Sequence, residues 1–188
     1  MHRLLRAWVS RPLTALLLVS LLAPGAGGAV AQPVAAIDFP GGPSQSFVIG
    51  GAVQTETTLT LADLQTLPTQ TMMAETRTQM GSQGTATYRG VLLKDVLDVA
   101  KLQLNPNTKN DALSRAITAY GSDGYRATIA YGEVDPNFGD QPILVAFEMN
   151  GQPLADRDGM FELVVPGDKL AGRWVKNLVA LTVAAPNV

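Results

Sequence analysis

The sequence predicts an α+β fold dominated by a mixed, barrel-like β-sheet with a few short helices. Three observations carry this expectation. Short apolar runs with weak period-two alternation recur from Phe47 to Ala184. Turn dipeptides separate them, with Gly121-Ser122-Asp123-Gly124 and Asn150-Gly151 the strongest hairpin signals. Only two stretches carry helical spacing, and both are short.

In chain order, Phe47-Val48-Ile49 reads as a strand running into Gly50-Gly51. Thr60 is an N-cap candidate with Asp63 three residues on, and Leu61, Leu64 and Leu67 keep helical spacing until Pro68. Thr69 to Thr78 is rich in Thr and alternates, as a half-buried strand does; Met80 to Gly84 has loop composition. Val91 to Ala100 predicts an amphipathic helix through Leu92, Leu93, Val96, Leu97 and Val99, and Leu102 to Asn110 a loop. Strands are expected over Arg115 to Tyr120, Tyr125 to Tyr131, Gln141 to Met149, Phe161 to Val165 and Val175 to Ala184.

Three segments organise the chain. Residues 1–31 read as a signal peptide: Arg3, Arg6 and Arg11 form a basic head, and Leu13 to Ala23 an apolar stretch of eleven residues. That stretch is shorter than the roughly 20 residues of a permanent membrane span. Ala29-Val30-Ala31 is a small-x-small cleavage site that leaves Gln32 as the new N-terminus. The head has no adjacent arginines, which favours export in the unfolded state. Residues 32–46, rich in Pro, Gly and Ala, read as a flexible lead-in, and residues 47–188 as one domain. The mature chain is expected to be periplasmic, without a membrane span.

Composition excludes much chemistry. The chain has no cysteine, and its one histidine is His2, inside the leader. Thiolate nucleophiles, imidazole bases, disulfides and zinc, copper or iron sites built on thiolate or imidazole are therefore ruled out of the mature domain. Three of the fourteen Lys and Arg lie in the leader and none of the sixteen acids, which leaves a mature net charge of −5. A mildly acidic domain lacks the electrostatic footprint of a nucleic-acid binder.

The order of motifs is more specific than any one of them. Leu59-Thr60-Leu61-Ala62-Asp63-Leu64 comes first, then Tyr88-Arg89-Gly90-Val91-Leu92-Leu93, Ser122-Asp123-Gly124-Tyr125, and Phe147-Glu148-Met149-Asn150-Gly151-Gln152-Pro153-Leu154. Val164-Val165-Pro166-Gly167 and Gly172-Arg173-Trp174-Val175-Lys176-Asn177-Leu178 close the series. This series resembles the molybdopterin-binding domain of the sulfite-oxidase-type oxidoreductases in a small, exported, single-domain form. The resemblance spans Phe47 to Val183 and implies a barrel-like α+β fold around a pterin-dithiolene molybdenum centre.

The resemblance also marks departures. In the full enzymes a cysteine just before the Tyr88-Arg89-Gly90 equivalent binds molybdenum; by spacing its place falls within Thr76 to Met80, where no thiol occurs. A threonine hydroxyl is a hard, un-ionised donor, and the Met80 thioether carries no charge. A histidine and an arginine that face the cofactor phosphate there correspond here to Asp158 and Glu162. Exported relatives receive their cofactor in the cytoplasm, which conflicts with unfolded export.

Five residues are the candidates for a cofactor-type or anion pocket: Arg173, Lys176, Trp174, Asp123 and Thr78. Each has a plain alternative. Arg173 and Lys176 could converge on an anion, or stand on the solvent side of a strand beside Trp174 and Val175. Trp174 suits a core or rim position, and Asp123 suits a turn whose side chain bonds its own backbone. Met72, Met73 and Met80 allow a Cu(I) reading, but core filling is the expectation; Asp135, Asp140, Asp156 and Asp158 lack calcium-loop spacing.

The expected function is a cofactor-free module that binds a small anion or an exported protein partner. The alternative is a molybdopterin-dependent oxidoreductase, for oxygen-atom transfer or S- or N-oxide reduction, with a non-cysteine molybdenum site. A third reading is a structural accessory of an exported redox or signalling system.

Overall fold

The computed structural model describes residues 37–154 and 159–185. The expected leader and cleavage site, Asp156 and Asp158 lie outside the described residues.

Among the described residues, ten strands form two five-stranded sheets. The first takes β1 (Ser46–Gly51), β2 (Thr57–Thr60), β5 (Ala116–Gly121), β6 (Arg126–Ala130) and β10 (Leu178–Ala184) in the order β2-β1-β10-β5-β6. Only the β1–β10 pairing is parallel, with Val48 opposite Ala180. The second runs β3 (Thr69–Thr78), β4 (Gly81–Leu92), β7 (Leu144–Met149), β8 (Gln152–Pro153), and β9 (Glu162–Val164) pairs with β7 beside β8. Both sheets contribute to one buried core, so the expected α+β class holds with the barrel-like body divided into two sheets. Phe47 of β1 meets Phe161 edge-on at 5.2 Å, a contact between the sheets.

Helices are few and short. Helix α1 (Leu61–Gln65) starts in a capping box: the Asp63 carboxylate accepts from the Thr60 backbone N–H at 2.8 Å and from its hydroxyl at 2.6 Å. Helix α2 (Leu93–Ala100) buries Leu93, Val96, Leu97 and Ala100. It begins two residues later than the periodicity predicts, because Val91 and Leu92 continue β4 and pair with Val145 and Leu144. With no side-chain cap, its first N–H donates to the Ile143 carbonyl at 2.8 Å. Helix α3 (Tyr131–Val134) is one turn that the sequence did not announce. No helix of the described residues is long and apolar enough to cross a membrane.

Three expectations change. Met80 to Gly84 is not a loop: β3 and β4 form a long hairpin whose pairing continues to Thr78 opposite Gly81. Gly81 and Gly84 adopt φ of +107° and +111°, a strained conformation for residues with a Cβ. Loop-like composition arises because this end of the hairpin extends past the core and has no apolar face to bury. Met73 (75% exposed) and Met80 (91% exposed) therefore do not fill the core, whereas Met72 packs against it. The far half of the lead-in is also held in place. Gly41 N–H donates to the Ser122 carbonyl at 2.9 Å, the Ser122 hydroxyl donates to the Gly42 carbonyl at 2.6 Å, and Phe39 lies against Tyr120.

Candidate functional site

The β3–β4 hairpin forms one wall of the main cleft, which has a volume of about 730 Å³. Alternation along β3 decides which side chains face it. Ala74, Thr76 and Thr78 turn inward, while Met73, Glu75 and Arg77 are exposed on the outer face, where Arg77 pairs with Glu75 at 2.9 Å. Ala86 pairs with Ala74 and stands on the inner face with Tyr88. At the tip, the Thr78 hydroxyl accepts from the Met80 N–H at 3.2 Å and so braces the turn.

The opposite wall is the segment between β9 and β10. A 3-10 turn at Ala171–Arg173 leads into Trp174, whose indole N–H donates to the Val165 carbonyl at 3.0 Å. Its ring meets Tyr88 edge-on at 5.5 Å, so the aromatic pair joins the two walls at the base of the cleft. Lys176 and Asn177 follow on the same wall; Asn177 takes φ of +49°, a conformation asparagine tolerates well. Asp123 and Tyr125 enter from the β5–β6 turn. The Asp123 carboxylate accepts from the Tyr125 N–H at 2.8 Å, and the Tyr125 hydroxyl donates to the Gly172 carbonyl, tying this turn to the wall. Glu162, only 2% exposed, lines the floor from β9.

Four of the five sequence candidates thus line one cleft: Thr78, Asp123, Trp174 and Lys176. Arg173 does not join them. Its guanidinium forms a fork with Asp168, at 2.8 and 2.6 Å, and bonds both oxygens of Glu133 at 3.1 and 3.0 Å. The hydrogen bonds to Asp168, with those to Glu133, raise its pKa further above the ordinary arginine value. Glu133 also accepts from the Ala130 N–H at 2.9 Å, so one carboxylate fastens both the start of α3 and the 3-10 turn. The expected convergence of Arg173 and Lys176 on one concave site is therefore not found. Nor do these residues alternate along a strand, since β10 begins only at Leu178. Among the lining residues that escaped sequence reasoning are Tyr88, read only as part of a motif, Gln83, read only as loop, and Asn150, read only as a turn residue. Asn150 keeps its turn role, at φ +54°, and its side chain also accepts from the Thr87 N–H at 3.0 Å.

The donor set has a definite chemical character. The hairpin wall presents the hydroxyls of Thr76 and Thr78, and the charged described residues of the cleft are Asp123, Glu162 and Lys176. Among the described residues, no group of three or more His, Asp or Glu is placed to hold a metal ion. A molybdopterin would meet no soft anionic protein ligand here, and the charged groups the described residues could offer it are the Lys176 ammonium and the carboxylates of Asp123 and Glu162. These residues do not fit that group.

Comparison with known proteins places the fold. Among solved structures, the sulfane dehydrogenase SoxCD from Paracoccus pantotrophus superposes with a TM-score of 0.61 at 23% sequence identity. The match covers 76% of this chain and 39% of that one, so the chain spans well under half the length of that structure. No curated protein matches the sequence. A family model, the oxidoreductase molybdopterin binding domain, matches residues 43–187, and on that span the chain belongs to the oxidoreductase molybdopterin-binding domain family.

Proposed function

We propose that this chain is a cofactor-free member of its family, exported and relieved of residues 1–31, that uses the inherited cleft as a binding site. The observation that carries this reading is the placement of Thr76 and Thr78 on the wall where a thiolate would be needed, with Glu162 buried in the same cleft. A hydroxyl with an ordinary pKa does not replace a thiolate as a metal ligand. Family membership alone favours the other reading, a molybdopterin-dependent oxidoreductase with a non-cysteine metal site.

The two readings separate on the native protein. Isolated from the periplasm of a host that makes molybdenum cofactor, the chain should contain well under about 0.1 molybdenum per chain, with no pterin fluorescence released on denaturation. Near-stoichiometric molybdenum would overturn the cofactor-free reading and establish the alternative. Intact mass of the same sample tests export: an N-terminus at Gln32, free or cyclised, supports it, and retention of residues 1–31 opposes it. A small anion is the weaker of the two ligand classes expected from sequence, because Arg173 is engaged by Asp168 and Glu133 outside the cleft.

A further inference from the structure

We infer that residues 39–44 are a strap that sets one wall of the cleft, so that the lead-in to the domain controls the position of Asp123 and Tyr125. This goes beyond the proposed function and holds whichever molecule the cleft takes. Its first support is a reciprocal pair of hydrogen bonds. The Gly41 N–H donates to the Ser122 carbonyl at 2.9 Å, and the Ser122 hydroxyl donates to the Gly42 carbonyl at 2.6 Å. Ser122 is 1% exposed, so a polar group left unpaired there costs more than the bond itself contributes. On its other side, the Ser122 N–H donates to the Asn177 carbonyl at 2.9 Å. The β5–β6 turn is therefore clamped between the strap and the wall that carries Lys176 and Asn177.

The backbone of the strap is the second support. Gly41 and Gly42 hold φ of +68° and +72°, two successive left-handed residues, and a Cβ added at either would meet nothing within 4 Å. Glycine is needed here for conformation and not for space. A composition that reads as a flexible lead-in thus encodes a specific bend. Packing anchors that bend on both sides: Phe39 lies against Tyr120 with ring centroids 6.2 Å apart, and Ser44 is buried.

The far side of the same turn carries the consequence. Asp123 and Tyr125 follow Ser122 and line the cleft. Their own contacts, the Tyr125 N–H to the Asp123 carboxylate and the Tyr125 hydroxyl to the Gly172 carbonyl, fix the turn internally and to the opposite segment. The strap is the hold from the side of the first sheet. A partner or tether that draws the lead-in off that sheet shifts two cleft residues without touching the cleft.

Hydrogen exchange of the exported protein tests this. Gly41→Ala combined with Gly42→Ala disfavours the bend without a clash, and Ser122→Ala removes the hydroxyl that grips it. Exchange over residues 121–125 should rise about five- to tenfold in both variants. The Asn150-Gly151 turn, where the Asn150 N–H donates to the Thr87 carbonyl at 2.7 Å, should stay within about twofold of wild type. Trp174 reports on the base of the cleft, because the other tryptophan, Trp8, lies in the expected leader. Its quenching by acrylamide should rise about twofold as the turn loosens.

Wild-type exchange over 121–125 in the glycine variant would overturn the inference. An equal rise at both turns would overturn it as well, since that reports a general loosening of the fold. So would a turn that exchanges faster while Trp174 quenching keeps its wild-type value, because the strap would then not reach the cleft. If Ser122→Ala does not fold, the glycine variant, whose added methyl groups meet open space, decides alone.

Discussion

At the scale of single residues, Arg173 shows how a side chain can carry a family motif and still serve the fold. Its guanidinium joins Asp168, five residues back, to Glu133, forty residues back, and Glu133 in turn holds the start of α3. The side chain is about one-third exposed, so solvent screens part of the interaction. Arg173→Met should destabilise the domain by about 1–2 kcal/mol in urea unfolding, an effect that shrinks in about 0.5 M salt. Ligand binding in the cleft should be retained. Loss of binding without loss of stability would place Arg173 in the site after all. The sequence offered a pocket cation or a solvent-side strand residue, and neither is found, because Glu133 and Asp168 are brought to Arg173 by folding and nothing local distinguishes an arginine with such partners from one without. Asp123 was more legible. The Ser-Asp-Gly pattern specifies a turn whose carboxylate bonds a nearby backbone N–H, and that turn also delivers the side chain to the cleft.

At the scale of elements, legibility follows how local the cause is. Strand β3 has the boundaries its alternation predicts, Thr69 to Thr78, and α1 begins where Thr60 and Asp63 can cap it. Strand β4 was hidden over its first residues, since Gly81 and Ser82 pair with Thr78 and Arg77, Gln83 and Gly84 fall at a register shift, and all four are exposed. The capping box is directly testable. Thr60→Ala removes the hydroxyl that accepts from the Asp63 N–H and should cost about 1 kcal/mol in thermal or urea unfolding. Hydrogen bonds from the Thr60 hydroxyl and backbone N–H hold the Asp63 carboxyl below its ordinary pKa. Because the folded-state value is the depressed one, the contribution is present above the unfolded pKa near 3.8 and is lost as pH falls through the folded value. Asp63→Asn should therefore flatten the acid limb of the stability profile below about pH 4. An unchanged acid limb would show that the box does not persist in solution. Gly90 makes a second test, at the irregular step where β4 meets β7. A Cβ there would fall 2.2 Å from the Val145 carbonyl oxygen and 2.6 Å from the Ala146 Cα, both backbone atoms that a rotamer change cannot move. Gly90→Ala should cost about 2 kcal/mol or more by displacing β4 from β7, read as an earlier urea midpoint; a neutral substitution would mean the strands part without penalty.

At the scale of the whole molecule, two sheets share one core, and the chain is closed by a parallel pair between its first and last described strands. The β1–β10 register joins residues more than 130 positions apart, so that pairing forms only after a large loop closes. The sequence announced the strands but not this closure, because a parallel pair leaves no turn signature between its members. What makes the two sheets a single cooperative unit is the packing between them, with Phe47 on one and Phe161 beside the other at 5.2 Å, both 1% exposed or less. Replacing either phenylalanine with leucine removes ring contacts but keeps most of the volume, so each change should cost about 1–2 kcal/mol, and alanine at Phe161 about 3–5 kcal/mol. The two leucine variants should not add: a double-mutant cycle should return a coupling of about 0.5–1.5 kcal/mol, because the edge-on contact is lost only once. If the sheets unfold together, far-ultraviolet circular dichroism and Trp174 fluorescence will trace one coincident urea transition in wild type and in all three variants. Zero coupling together with two separated transitions would mean that each sheet is stable alone, and that the cleft, whose walls come from both the hairpin and the β5–β6 turn, is not held by a common core.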